Sequence, residues 1–145
     1  MSAWLTLADF AQVHAGKLYI VGGGVNITGP GPVSMGVAVQ VVVPWNDRSK
    51  RRHLVVRLCD LDHNQISVPT PVGDIQVEVA ADFEVVPAPG TLQASELPFA
   101  FSFYAPNLPL APGGYTWRLF LDDSTEEAAH ATFSVRSPPS PGQPF

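Results

Sequence analysis

The sequence predicts an all-β fold, a single Greek-key antiparallel β-sandwich of about eight to nine strands. Apolar residues recur at every second position in segment after segment, the period that buries one face of a strand and wets the other. Gly, Pro and Asp cluster between those segments, where turns are required. Helical periodicity is missing, since the one helix-friendly segment, Thr125 to Ala131, is short and sits in a hairpin context.

In chain order, Trp4 to Gln12 and Lys17 to Gly23 flank His14-Ala15-Gly16, an opening hairpin in which Gly16 supplies the positive φ of a tight turn. Gly29-Pro30-Gly31-Pro32 breaks the pairing, and Val33 to Val43 follows as a strand with Val37, Val39, Val41 and Val43 on one face. Pro44-Trp45-Asn46-Asp47 reverses the chain into a basic turn. Strands near His53 to Cys59 and Gln65 to Val68 flank the polar turn Asp60 to Asn64. Asp74 to Val86 reads as one further strand, stopped by Pro87-Ala88-Pro89-Gly90, and Leu97 to Tyr104 as another, stopped before Pro106. Pro112-Gly113-Gly114 opens the last hairpin, with strands near Tyr115 to Leu121 and Ala129 to Arg136. Within it Tyr115, Trp117, Leu119 and Leu121 share the buried face, and Phe120 interrupts the polar one as a covered or sticky spot. After residue 136 a Pro-rich segment, Ser137 to Phe145, cannot donate ladder hydrogen bonds and is expected to be an extended, flexible tail to a domain of residues 1–136.

A chain of 145 residues suffices for one core without disulfides or metal, burying on the order of 68–70% of its unfolded surface. The formal net charge of −5 argues against nucleic acid or an anionic membrane as partner, because phosphate affinity rests on clustered Lys and Arg. Four of the eight basic residues, Arg48, Lys50, Arg51 and Arg52, nevertheless share one turn, which reads as a solvated loop or as a contact for an acidic partner. Met1 to Phe10 has no Lys or Arg and alternates like a strand, so no export signal is expected. Cys59 stands alone, which fits a reducing, cytoplasmic setting.

Two segments together carry a family likeness: Leu7-Ala8-Asp9-Phe10-Ala11-Gln12-Val13 through Gly16-Lys17-Leu18-Tyr19-Ile20-Val21-Gly22-Gly23-Gly24, and Pro112-Gly113-Gly114-Tyr115-Thr116-Trp117-Arg118-Leu119. They resemble a family of small, mostly actinobacterial all-β proteins known as a domain of unknown function, and the resemblance extends over Val43-Pro44-Trp45. The second half also resembles immunoglobulin-like sandwich domains in general. The likeness implies a β-sandwich and supplies no active-site residues.

No spacing in the chain carries catalysis. Gly22-Gly23-Gly24 follows a strand but lacks the Lys-Ser/Thr pair and helix of a phosphate loop. Asp60, Asp62 and Asn64 begin like a calcium loop, yet Gln65 replaces the glycine of its sharp turn and Pro71 its closing carboxylate. A second acidic turn holds Asp122, Asp123, Glu126 and Glu127. His14, His53, His63 and His130 show no zinc spacing, and Cys59 reads as a packing residue. The expectation is a non-enzymatic module without cofactor that binds a protein partner or a second copy of itself. Trp45, Tyr104 and Phe120 are its aromatic candidate contacts and Arg48, Lys50, Arg51 and Arg52 its charged ones. The alternative is a small-ligand or carbohydrate-binding sandwich, calcium-assisted by the acidic turns, with Trp45 or Tyr104 as a stacking platform.

Overall fold

A computed structural model describes residues 1–139, and in it the chain is all-β. Twelve strands are formed: β1 (Ser2–Ala8), β2 (Phe10–His14), β3 (Lys17–Val21), β4 (Ile27–Thr28), β5 (Val33–Val43), β6 (Arg52–Asp60), β7 (Ser67–Thr70), β8 (Gly73–Gln76), β9 (Glu78–Phe83), β10 (Leu97–Leu108), β11 (Gly113–Leu121) and β12 (Ala129–Val135). A single 3-10 turn spans Trp45–Asp47. One sheet has the order β1-β5-β10 and another the order β4-β12-β11-β6-β9, while β2-β3 and β7-β8 are two-stranded.

The inner faces of the two larger sheets share one core. Val37, Val39 and Val41 of β5 meet Leu54, Val56 and Leu58 of β6 and Trp117 and Leu119 of β11, all fully buried. This is the alternation expected for β5 and β11, face for face. Tyr115 closes the start of β11 by donating its hydroxyl to the Ala111 carbonyl at 2.6 Å. Burial, and then the nearby Asp60 carboxylate, raise the Tyr115 pKa, so the donor proton stays in place.

The opening hairpin forms with Ala15 as well as Gly16 at positive φ, 50° and 74°, as a two-residue turn of mirror-image type demands. Its first strand is not the continuous Trp4 to Gln12 of the sequence reading. The chain breaks at Asp9, β1 pairs with β5, and only β2 pairs with β3. The break lets the β2-β3 hairpin cross the outer face of the three-stranded sheet. Met35 and Val37 point into the core, so Gly36 points outward, and a Cβ there would lie 2.7 Å from the Ala11 nitrogen. Ala38, also outward, is covered in consequence.

The count of twelve among the described residues corrects the expected eight to nine, and each extra strand follows from the partners its backbone finds. Residues 74–86 do not form one strand: Val77 leaves the ladder to exchange bonds with Leu58 and Ile66, separating β8 from β9. Gln65 bridges Cys59 as expected, but the chain then turns away, and β7 pairs with β8 through the turn at Pro71-Val72. β10 runs past Pro106 to Leu108 by shifting register after Ala105, a bulge that accommodates the missing N–H. β4 is two residues long and pairs parallel to β12, so the architecture is not wholly antiparallel. Residues 137–139 carry no regular structure, and the remainder of the expected Pro-rich tail, 140–145, lies outside the described residues.

Candidate functional site

The basic turn is neutralised from within. Arg52 pairs with Asp47 at 2.8 Å and with Asp122 at 2.7 Å, Lys50 with Asp47 at 3.3 Å, and Arg51 with Asp82 at 3.4 Å. Arg48 lays its guanidinium 4.6 Å from the centre of the Trp45 ring and donates to the Trp45 carbonyl. Trp45 is half-buried against the core, so one ring face is taken and the other packs. These residues tie the 3-10 turn to the end of β11, while Lys50 and Arg51 stay largely exposed and Arg48 has no carboxylate partner among the described residues.

Phe120 is covered, not sticky. It lies on the outer face of the five-stranded sheet, yet only 8% of its surface is exposed. Arg57 and Arg118, opposite each other on β6 and β11, hold their guanidinium carbons 5.1 and 5.0 Å from its ring centre. Stacked guanidinium groups shield an aromatic ring from water while keeping their own edges wet.

Tyr104 stands apart from both, on the outer face of the three-stranded sheet. It is half-exposed and its ring lies 6.4 Å from that of Phe10. β1 and the β2-β3 hairpin carry further exposed apolar residues. Trp4 is 55% exposed, Tyr19 51% and Val21 60%, with Phe10 and Ile20 also open to solvent. A signal was present: Leu18-Tyr19-Ile20-Val21 is a run of four apolar residues, so both faces of β3 are apolar where a surface strand alternates. Among the described residues β3 is hydrogen-bonded to β2 alone, and its other edge is unpaired.

The two acidic turns are engaged in holding the chain. One Asp60 oxygen accepts the backbone N–H groups of Asp62 and Asn64, each at 2.9 Å. Asp122 accepts the His53 N–H while binding Arg52, and Glu127 bridges Arg118 at 2.8 Å and His130 at 3.1 Å. No three His, Cys, Asp or Glu side chains converge as metal ligands among the described residues. Cys59 is buried near the end of β6, opposite Thr116 of β11.

Hydrogen bonding leaves its mark on these carboxyls. The Asn64 backbone N–H holds Asp60 below its ordinary 3.8, and the His53 ring does the same for Asp82. Burial pulls Glu127 upward, but the Arg118 hydrogen bond and the neighbouring charges outweigh it and the net shift from 4.5 is downward. Folded-state values below the unfolded ones give stability that is fully present above the unfolded pKa and lost as pH falls through the folded one. The urea midpoint should therefore begin to drop near pH 4.5 and keep dropping below 3.8. Asn replacing Asp82 should flatten the lower part of that decline, which a pH series of denaturation curves reads directly.

A comparison with curated proteins finds no match to the chain. The sequence profile of a family of unknown function, DUF6941, matches residues 3–136, a span that runs from β1 to the end of β12 and includes the apolar hairpin, both larger sheets and the arginine-covered Phe120. The chain belongs to this family of unknown function.

Proposed function

We propose that the protein is a non-catalytic interaction module that associates with a second copy of itself through the free edge of β3. One observation carries the reading: an unpaired strand edge whose residues are apolar on both faces, with Phe10 paired opposite Val21. Monomeric proteins guard such edges with charge, proline or bulges, and β3 has only Lys17 at its start. Antiparallel pairing of β3 with its copy about a two-fold axis would join two hairpins into a four-stranded sheet, bury Tyr19 and Val21, and satisfy the open backbone groups. A contact of this kind needs no cofactor and no chemistry at the strand.

The reading extends to the scaffold, which we place among immunoglobulin-like sandwiches. The order β1-β5-β10 against β4-β12-β11-β6-β9 supports this reading, being compatible with the A-B-E and G-F-C-C′ sheets of that class with β4 as an added edge strand. The Tyr115 hydroxyl bond to Ala111 resembles the tyrosine corner at the start of strand F, and Trp117 stands two residues on, where antibody domains carry a cysteine. A reducing cytoplasmic setting suits a scaffold that fills this position with an indole.

Sedimentation equilibrium tests the association. The wild-type chain should give a dimer that dissociates on dilution. Lys in place of Tyr19 or Val21 should weaken it at least tenfold, about 1.4 kcal/mol, with the melting temperature of the dilute protein unchanged. A wild-type chain that stays monomeric at high micromolar concentration would sink the reading.

A further inference from the structure

On the outer face of the five-stranded sheet, remote from the hairpin, the arginine-covered phenylalanine opens into a cleft of about 440 Å³. Its floor is Val55, Phe120 and the two arginines, and its rim is Asp123, Ser124 and Thr125 from the turn between β11 and β12. Arg57 and Arg118 are direct cross-strand partners, an arrangement of like charges that is unfavourable unless counter-charges are supplied. Arg118 has one, since its Nε donates to Glu127 at 2.8 Å. Arg57 has the Glu78 carboxylate, but at 3.9 Å from its Nε this is an ion pair without a hydrogen bond, and that buried Nε finds no acceptor among the described residues.

We propose that this cleft binds a monocarboxylate bearing a flat or branched apolar group, with the carboxylate on Arg57 and the apolar group against Phe120 and Val55. A carboxylate fits because a guanidinium edge offers two parallel donors to two oxygens. A single negative charge fits because Asp123 stands on the rim and Glu78 and Glu127 already flank the arginines, so a dianion meets more repulsion than a monoanion. An apolar body fits because Phe120 and Val55, each 8% exposed beside the arginine side chains, supply the apolar part of the lining. The carboxylate can belong to a free organic acid or to the C-terminus of a peptide; its chemistry at Arg57 is the same.

Titrations followed by the Arg57 Nε–H and Phe120 ring signals in NMR decide it. Benzoate should shift both saturably in the low millimolar range, acetate at least tenfold more weakly, and inorganic phosphate no better than acetate. Arg57→Gln should abolish the benzoate response at Phe120. Should that variant fold poorly, Arg57→Lys, which keeps the charge and loses the paired donors, should weaken benzoate at least tenfold. N-acetylphenylalanine against its amide separates the sources: a response to the acid, absent in the amide and tighter than benzoate, places the natural carboxylate on a peptide C-terminus, and a weaker one places it on a free acid. Absence of a saturable shift up to tens of millimolar, an undiminished response in either Arg57 variant, or a preference for phosphate overturns the proposal.

Discussion

Trp117→Ala should lower the free energy of unfolding by about 3–5 kcal/mol, the range for deleting a large buried aromatic, and against a typical total of roughly 5–15 kcal/mol this is enough to leave the chain partly unfolded at 37 °C. The indole is fully buried at the middle of β11, between the two larger sheets. Phe103 meets it edge-on with ring centres 5.4 Å apart, and its Nε1–H points at the Met35 sulfur at 3.3 Å. Three elements of the core, β5, β10 and β11, therefore lose contacts at one stroke. Trp117→Phe keeps much of the volume and gives up the N–H to sulfur contact, so it should cost well under half as much. Urea denaturation of both variants measures the difference, and equal midpoints for the alanine variant and the wild type would mean that β11 presents its other face to the core.

That β11 presents this face was legible in the sequence because Tyr115, Trp117, Leu119 and Leu121 alternate with Thr116 and Arg118 in a segment bounded by Pro112 and Asp122. β5 was legible for the same reason, and both are flanked by strong breakers. What escaped was what depends on partners distant in sequence. The break at Asp9 has no proline and no change of period; it exists because β1 and β2 pair with different strands. Val77 interrupts a segment of good strand character because Leu58 and Ile66 compete for its backbone. The two-residue β4 is too short for any period to register. Proline misled in the opposite sense at Pro106, which ended the expected strand while the actual one continues through a bulge.

The candidate contacts divide along the same line. Exposure of an aromatic residue cannot be read from its own position when long cationic side chains are present: alternation leaves Phe120 either covered or sticky, and only the fold shows Arg57 and Arg118 over it and Arg48 over Trp45. In sequence the basic turn reads as a solvated loop or as an acidic-partner contact, because two of its counter-ions, Asp82 and Asp122, are about 30 and 70 positions away in the chain. Tyr104 sits on the surface, and the exposure of Phe10 beside it and of Trp4 and Tyr19 depends on where the β2-β3 hairpin docks, which no local pattern encodes. The run Leu18 to Val21 was the available sign.

Gly36→Ala carries the second large expectation, and its value lies in its sign. Gly36 has an ordinary β backbone, so in an uncovered strand alanine should stabilise the chain by about 0.5–1 kcal/mol through the entropy of the unfolded state. Here the added Cβ would meet the Ala11 nitrogen at 2.7 Å and the Phe10 carbonyl carbon and Cα at 2.9 Å, all backbone atoms that cannot rotate away. The hairpin must lift from the sheet, uncovering Ala11 and Ala38, and the cost should be about 1–3 kcal/mol, as for an overpacked core. Hydrogen exchange adds the location: amides of the β2-β3 ladder should lose protection while those between β5 and β10 keep it. Because the same hairpin presents the β3 edge, Gly36→Ala should also weaken self-association even though residue 36 lies beneath the hairpin, away from that edge. A stabilised variant with the hairpin amides still protected would show that β2 does not rest on Gly36, and the β3 edge would lose the support that holds it in place.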